Sequence, residues 1–216
     1  MKLYHYVHCP FCIRVRMALG FLNINYTSQV LRYDDEPTPI SLTNKKMLPI
    51  FEFSPKNIIN ESLDIIKLLD ENDKLQTTEV IKGYSSTEIV LNSLGEDVHS
   101  LAMPYWIWTP EFDDKSRSYF QNKKESKRGP FYKLVENKEI NRQSLNTKLS
   151  ELENDLIPFY KSNKFTLNDI LLASHLWGLY VVPEYQLSHK LHLYLQGIKK
   201  LCNFDYHEDF WRKSGS

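Results

Sequence analysis

The sequence has few cysteines, no net charge and no long apolar run, and each of these absences argues against a broad class of protein. Its three cysteines in 216 residues are too few for a disulfide-based scaffold. Lys plus Arg and Asp plus Glu each number 27, and this zero net charge argues against nucleic acid or an anionic membrane as partner. No apolar run approaches the length of a membrane span. Because the chain begins directly in a strand candidate, we expect no signal peptide. These features favour a cytoplasmic protein, which we expect to be a monomer.

The most informative motif is Cys9-Pro10-Phe11-Cys12, a Cys-x-x-Cys pair between a strand candidate and an amphipathic helix candidate. Proline suits the first helical turn, where its missing N–H costs little. Cys9 then lies where free backbone N–H groups and the helix dipole favour a thiolate, and Cys12 lies within reach of it. A strand, this motif and a helix in that order indicate a thiol–disulfide redox centre.

Two other interpretations of the motif remain open. Cys-x-x-Cys can be half of a zinc site, but zinc needs about four ligands and the third cysteine, Cys202, is far along the chain. His5 and His8 are near, but they belong to the strand and turn before the motif. A purely structural disulfide would gain little, because so short a loop restricts the unfolded chain only slightly.

Strand and helix signals alternate over residues 1–72, in the order βαβ then ββα, which predicts an α/β domain. The predicted strands are Leu3–Val7, Tyr26–Leu31, Pro49–Phe53 and Ile58–Ile59, and the predicted helices are Pro10–Leu22 and Ser62–Asp70. Ser62 is expected as the N-cap of the second helix. Prolines and charges predict a loop over Asp34–Pro39.

A polar linker is predicted over residues 73–87, and strand signals fade beyond it, so 88–213 are expected to form an all-helical domain. The predicted helices are Glu88–Trp108, Ser116–Ser126, Arg142–Lys161, Asn168–Val181 and Leu187–Leu201. Thr166 and Asp169 fit a capping box at the start of the fourth of these. Cys202 is expected to be a buried core thiol.

Together these features resemble the two-domain bacterial glutaredoxins known as the glutaredoxin 2 type. The resemblance is carried by Cys9-Pro10-Phe11-Cys12, Leu48-Pro49-Ile50 and Glu61-Ser62-Leu63-Asp64-Ile65, with the capping box in the second half. It implies an α/β thioredoxin-like N-terminal domain and an all-α C-terminal domain, the two-domain architecture of glutathione transferases.

The resemblance also implies roles for individual residues. Cys9 would be the nucleophile and Cys12 the resolving cysteine. Pro49 would be the family's cis-proline, and Leu48 would pair its backbone with the cysteine of glutathione as an added strand does. Glu61 would meet the α-ammonium of the γ-glutamyl end, and Ser62 with the helix N-terminus would meet its α-carboxylate.

Five basic or titratable residues near the motif have two interpretations each. Arg14 and Arg16 either raise the positive potential near Cys9 or form a solvated helix face. His8 either tunes the nucleophile or is a spectator. Lys45 and Lys46 either meet the glycyl carboxylate of glutathione or are simply solvated.

The function implied is reduction of glutathione mixed disulfides and protein disulfides, with glutathione as cosubstrate and no permanently bound cofactor or metal. The partners would be glutathione and disulfide-containing or glutathionylated proteins. Two alternatives stay open: a glutathione transferase that conjugates electrophiles, and a non-catalytic metal-binding or regulatory module on the same fold.

Overall fold

The computed structural model describes residues 1–206, so the last seven residues of the predicted helical domain, 207–213, lie outside the described residues. Its sheet has four strands in the order β2-β1-β3-β4. The strands are β1 Lys2–His5, β2 Thr27–Val30, β3 Ile50–Ser54 and β4 Asn57–Ile59. β1 is parallel to β2 and antiparallel to β3, and β3 is antiparallel to β4. The predicted α/β N-terminal domain is confirmed, each strand differing from its predicted span by one or two residues at its ends.

Helix α1, Pro10–Phe21, follows β1 and carries the Cys-x-x-Cys motif. Cys9 is its N-cap, with an extended backbone, and Pro10 is the first helical residue. The Cys9 carbonyl accepts hydrogen bonds from the amides of Cys12 at 3.0 Å and Ile13 at 2.9 Å. The helix begins here because proline fixes the dihedral angle that the first turn needs and has no N–H to leave unpaired.

Two local predictions in the first half are wrong, and a third segment contains an unpredicted helix. The predicted loop at Asp34–Pro39 contains the start of α2, Pro37–Thr43, because prolines are tolerated in a first turn and Asp35 Oδ1 accepts from the Thr38 amide at 3.0 Å. The N-cap of α3, Ser62–Leu69, is Glu61, so that Ser62 is the first helical residue. The predicted linker at 73–87 contains a further helix, α4, Thr77–Lys82.

The second half is helical, as predicted, with shifts in several boundaries. The helices are α5 Tyr84–Trp106, α6 Asp114–Arg128, α7 Phe131–Glu136, α8 Lys138–Asn154, α9 Leu167–Leu176 and α10 His189–Leu201, with a 3-10 helix at Trp177–Val181. Helix α7 was not predicted. The predicted helix Arg142–Lys161 ends early, at Asn154, because the chain then folds back through short β-bridges around Pro158.

Helix α1 is shared between the two halves of the molecule. It packs against α3 on one side and against α9 and α10 on the other, and one continuous hydrophobic core joins all of them. At the end of α1, Gly20 lies directly against the backbone of Cys202, which caps α10. Cys202 is fully buried, as predicted, and burial raises the pKa of its thiol to about 12.

The predicted capping box at the start of α9 is confirmed. The Thr166 backbone N–H donates to Asp169 Oδ2 at 2.8 Å. The other carboxylate oxygen of Asp169 accepts from the Tyr160 amide and the Tyr194 hydroxyl, each at 2.8 Å. Asp169 therefore joins the start of α9 to α10 and to the chain segment that precedes α9.

Replacement of Thr166 by alanine should lower the free energy of unfolding by about 0.5–2 kcal/mol, because it removes the cap hydroxyl. Chemical denaturation would measure the loss, and the pKa of Cys9 should not change. Thr147→Ala, at an exposed position inside α8, is a matched control that removes a threonine hydroxyl without a cap. Equal stability changes in the two variants would contradict a stabilising role for the Thr166 cap.

Within residues 1–206, no helix combines the length and the hydropathy that crossing a membrane requires.

Candidate functional site

Cys9 and Cys12 have opposite electrostatic environments at the start of α1. Cys9 is partly buried and Cys12 is fully buried. A hydrogen bond from the Cys12 thiol, helped by His8 and by the backbone amides of Phe11 and Cys12, lowers the pKa of Cys9 to about 6. Burial, together with the same hydrogen bond, raises the pKa of Cys12 well above its ordinary value. At neutral pH, Cys9 is therefore mainly a thiolate and Cys12 a thiol.

Sheet topology brings three predicted site segments to one edge. Cys9 follows the carboxyl end of β1, and β3, which is antiparallel, begins opposite that end, with Ile50 paired to Tyr4. The Leu48–Pro49 peptide bond just before β3 is cis, as predicted. Ile59, at the end of β4, pairs with Phe51 near the start of β3, so that the Glu61–Ser62 segment also begins at this edge.

Contacts between side chains join some of the predicted site residues and not others. Leu48 and Cys12 belong to one small buried cluster, and Cys9 packs against it. Glu61 and Ser62 begin α3, which packs on α1. Within residues 1–206, no hydrogen bond or ion pair connects Glu61 or Ser62 with either cysteine.

The start of α3 has no side-chain cap in the part of the chain that the structure describes. Glu61 is exposed, and Ser62 is buried but makes no side-chain hydrogen bond among residues 1–206. The amides of the first helical turn have no partners inside their own helix. The hydroxyl and these amides are therefore available to an anion.

The two arginines of α1 are not a solvated face, so that interpretation is wrong. Arg14 is 1% exposed and Arg16 is 2% exposed. The Arg14 guanidinium lies 4.6 Å from the centre of the Phe11 ring. Arg16 donates to the carbonyl oxygens of Asp205 at 2.6 Å and Tyr206 at 3.1 Å. Both cations thus lie in the contact between α1 and the helical domain.

Lys46 is held by both halves of the chain. Its ammonium donates to Glu36 at 3.2 Å and to the Tyr119 hydroxyl at 2.9 Å, and it lies 4.0 Å from the centre of the Tyr119 ring. The Tyr119 hydroxyl donates to the same Glu36 oxygen. Lys46 is therefore not simply solvated, whereas Lys45 is exposed. Sequence reasoning missed Glu36 and Tyr119, which lie 83 residues apart and form no motif.

A cleft of about 690 Å³ opens beside Phe11, between the Cys-x-x-Cys motif and the helical domain. Phe11 is 45% exposed at its edge. The opposite walls are formed by α5, α6, α7 and α9, and include Gly95, His99, Arg128, Leu134 and His175. Burial lowers the pKa values of His99 and His175 to about 3, so both imidazoles are neutral at neutral pH.

Within residues 1–206, there is no group of three or more His, Cys, Asp or Glu side chains that could hold a metal ion.

Comparison with known proteins identifies the family. Residues 3–77 match the family model for the glutathione S-transferase N-terminal domain, and residues 87–209 match that for the glutaredoxin 2 C-terminal domain. Glutaredoxin 2 of Escherichia coli K12 is 34% identical over 141 residues, which are 62% of this chain and 64% of that protein. The match thus spans slightly less than two thirds of the relative.

Solved structures extend the likeness over nearly the whole chain. Glutaredoxin 2 of Salmonella typhimurium, in complex with glutathione, superposes with a TM-score of 0.82 and 26% identity, covering 96% of this chain and 97% of that one. A glutathione transferase of Phanerochaete chrysosporium shares the fold, with a TM-score of 0.79, 18% identity, and coverage of 94% and 97%. The family model for the glutaredoxin 2 C-terminal domain alone matches more than half of the residues of this chain, and the chain therefore belongs to the glutaredoxin 2 family.

Proposed function

We propose that the protein is a glutathione-dependent thiol–disulfide oxidoreductase, with Cys9 as nucleophile and Cys12 as resolving cysteine. The observation that carries this proposal is the placement of Cys9 at the N-cap of α1 beside the buried Cys12. This arrangement lowers the pKa of Cys9 to about 6 and raises that of Cys12. A thiolate is the form that attacks a disulfide. The buried Cys12 thiol first stabilises that thiolate and can then close the disulfide.

For a glutathione mixed disulfide, the Cys9 thiolate attacks the glutathione sulfur. A Cys9–glutathione disulfide forms, and the substrate leaves as a thiolate that takes up a proton. A second glutathione, as thiolate, then attacks the glutathione sulfur of this disulfide, releasing oxidised glutathione and the Cys9 thiolate. For a protein disulfide, Cys9 attacks one sulfur, Cys12 displaces the protein by closing the Cys9–Cys12 disulfide, and two glutathione molecules reduce it.

The same sheet edge offers a site of the right length for glutathione. Leu48, before β3, would pair its backbone with the cysteine of glutathione. Glu61 and Ser62 follow β4, two strands from β1, at a distance of roughly 10 Å given the spacing of neighbouring strands. An extended tripeptide also spans roughly 10 Å. Its γ-glutamyl ammonium would meet Glu61, and its α-carboxylate would meet Ser62 and the α3 amides.

The relatives support this assignment. The Escherichia coli and Salmonella typhimurium proteins are both glutaredoxin 2, and the latter was solved with glutathione. The cleft beside Phe11 would receive the part of a glutathionylated or disulfide-containing protein that carries the leaving sulfur.

Conjugation of electrophiles to glutathione is the second candidate, because the N-terminal family model is that of glutathione S-transferases. A transferase activates the thiol of glutathione and does not need two cysteines. The purified protein should be assayed side by side for reduction of a glutathione mixed disulfide and for conjugation of an aromatic electrophile. We expect rapid reduction that depends on Cys9, and conjugation no faster than in a Cys9→Ser variant. The reverse pattern would favour the transferase.

Replacement of Glu61 by glutamine, or of Ser62 by alanine, should weaken glutathione-dependent turnover. A charge-assisted contact is worth about 1.5–3 kcal/mol, so turnover at low glutathione should fall about ten- to a hundredfold. Asp64→Asn, which neutralises an exposed carboxylate in the same helical turn, is the matched control and should change turnover little.

Alkylation of Cys9 by a small uncharged reagent should remain nearly unchanged in the same variants, because that reagent does not use the glutathione site. Equal losses of turnover and alkylation would assign Glu61 and Ser62 to structural support of Cys9.

A further inference from the structure

A buried histidine–glutamate pair crosses from the N-terminal to the helical domain next to the nucleophile. His8 immediately precedes Cys9, and Glu111 lies in the connection between α5 and α6. His8 Nδ1 and Glu111 Oε1 are 3.3 Å apart. The two side chains are 6% and 3% exposed, and Glu111 Oε2 accepts from the Thr109 hydroxyl at 2.6 Å.

Aromatic rings enclose the imidazole. Its ring centre lies between 5.1 and 5.7 Å from those of five aromatic side chains, which come from both domains. These are Tyr6, Tyr33, Trp106, Phe112 and Phe120. A single buried charge in such a place is costly, but an imidazolium and a carboxylate that face each other balance each other's charge. The faces of aromatic rings also attract cations.

We propose that Glu111 is a positioning residue that holds His8 as an imidazolium beside Cys9, so that the helical domain sets how much of Cys9 is thiolate. This inference rests on the proposed function for its consequence in catalysis. The structure supports the direction of the effect, since His8 lowers the pKa of Cys9. Neither Glu111 nor its distance from His8 follows from the sequence, because 103 residues separate them.

Within residues 1–206, the other titratable groups packed around His8 include three phenols, a second imidazole and a lysine. Burial raises the pKa values of Tyr6, Tyr33 and Tyr206, so these phenols stay neutral. His99 on α5 is neutral as well, since burial lowers its pKa to about 3. Lys124 on α6 lies 5.5 Å from the centre of the Phe120 ring, and burial lowers its pKa.

The test is a titration of Cys9, read from its alkylation rate and from thiolate absorbance, in the wild-type chain and in Glu111→Gln. We expect the pKa of Cys9 to rise by about one unit, the lower end of what loss of a nearby opposite charge produces. Alkylation at a pH below both values should then slow about tenfold. Asp114→Asn is the control, because it neutralises a fully exposed carboxylate three residues away and should change neither quantity.

A double-mutant cycle with His8→Gln separates positioning from general structural support. His8→Gln alone should raise the pKa of Cys9 to a similar extent, and adding Glu111→Gln should then change it little. An unchanged Cys9 pKa in folded Glu111→Gln, or equal shifts with and without His8, would overturn the proposal.

A measurement on the unmodified chain covers the case in which Glu111→Gln does not fold. Nitrogen NMR of labelled histidine should show both His8 ring nitrogens protonated at neutral pH, and a neutral imidazole beside a Cys9 thiolate would overturn the proposal. None of these readouts needs turnover of a glutathione substrate, so failure of the proposed activity would remain distinguishable from failure of the His8–Glu111 coupling.

Discussion

Replacement of Cys9 by serine should abolish reduction of a glutathione mixed disulfide, whereas replacement of Cys12 by serine should preserve it. Deglutathionylation needs a single attacking thiolate, and Cys9, with its pKa lowered to about 6, supplies it at neutral pH. Cys12→Ser should nevertheless lose reduction of protein disulfides by the dithiol route, because no second thiol can displace the protein. Steady-state assays with one substrate of each kind would measure both effects.

The substitution chosen at Cys12 should itself affect Cys9. The hydrogen bond from Cys12 is the largest cause of the lowered Cys9 pKa. A serine hydroxyl can still donate that bond, but an alanine cannot, so Cys12→Ala should raise the pKa of Cys9 above its value in Cys12→Ser. The alkylation rate followed against pH would show this difference. An active Cys9→Ser protein together with an inactive Cys12→Ser protein would reverse the two roles and refute the mechanism.

Replacement of Gly20 by alanine should destabilise the whole molecule by about 3 kcal/mol or more. A Cβ atom at this position would lie 1.8 Å from the carbonyl oxygen of Cys202 and 2.9 Å from its carbonyl carbon. Both atoms belong to the backbone, so no side chain can rotate away, and α1 and α10 must separate. Chemical denaturation would measure the loss.

Gly197→Ala is a matched control on α10, the other helix of this contact. Gly197 is exposed inside that helix, and an added Cβ there would meet nothing within 4 Å. Because alanine is the better helix former, this variant should gain up to about 1 kcal/mol. Glycine has the same low helix propensity at both positions. Opposite signs of the change in the free energy of unfolding would therefore isolate the effect of the contact between Gly20 and Cys202. A stabilised Gly20→Ala protein would mean that α1 and α10 can move apart at little cost.

Features of the site that depend only on residues close together in the sequence could be predicted. The start of α1 follows from Cys9 and Pro10, and the capping box of α9 from Thr166 and Asp169, because each depends on residues within one helical turn. The error at α3 was also local. Ser62 is a favourable N-cap residue, but the extended backbone of Glu61 places the cap one residue earlier.

Features that depend on distant parts of the chain could not be predicted. Glu36 and Tyr119 contact Lys46, and Glu111 contacts His8, yet none of these residues occurs in a pattern that points to its partner. The solvated-face interpretation of Arg14 and Arg16 failed for the same reason. Charged residues on a helix are usually exposed, and only the packing of the helical domain over α1 buries these two.

The contact of Arg16 with Tyr206 has a consequence for biosynthesis. This hydrogen bond closes a loop of 190 residues between the first helix and the last described residue. A ribosome delivers the chain from its N-terminus, so the helix that carries Cys9 and Cys12 is made first, and this contact can form only after Tyr206 has been made. Glu111 and three of the rings around His8 also belong to the helical domain, so a nascent chain that ends before them carries Cys9 without the neighbours that surround its motif in the folded protein.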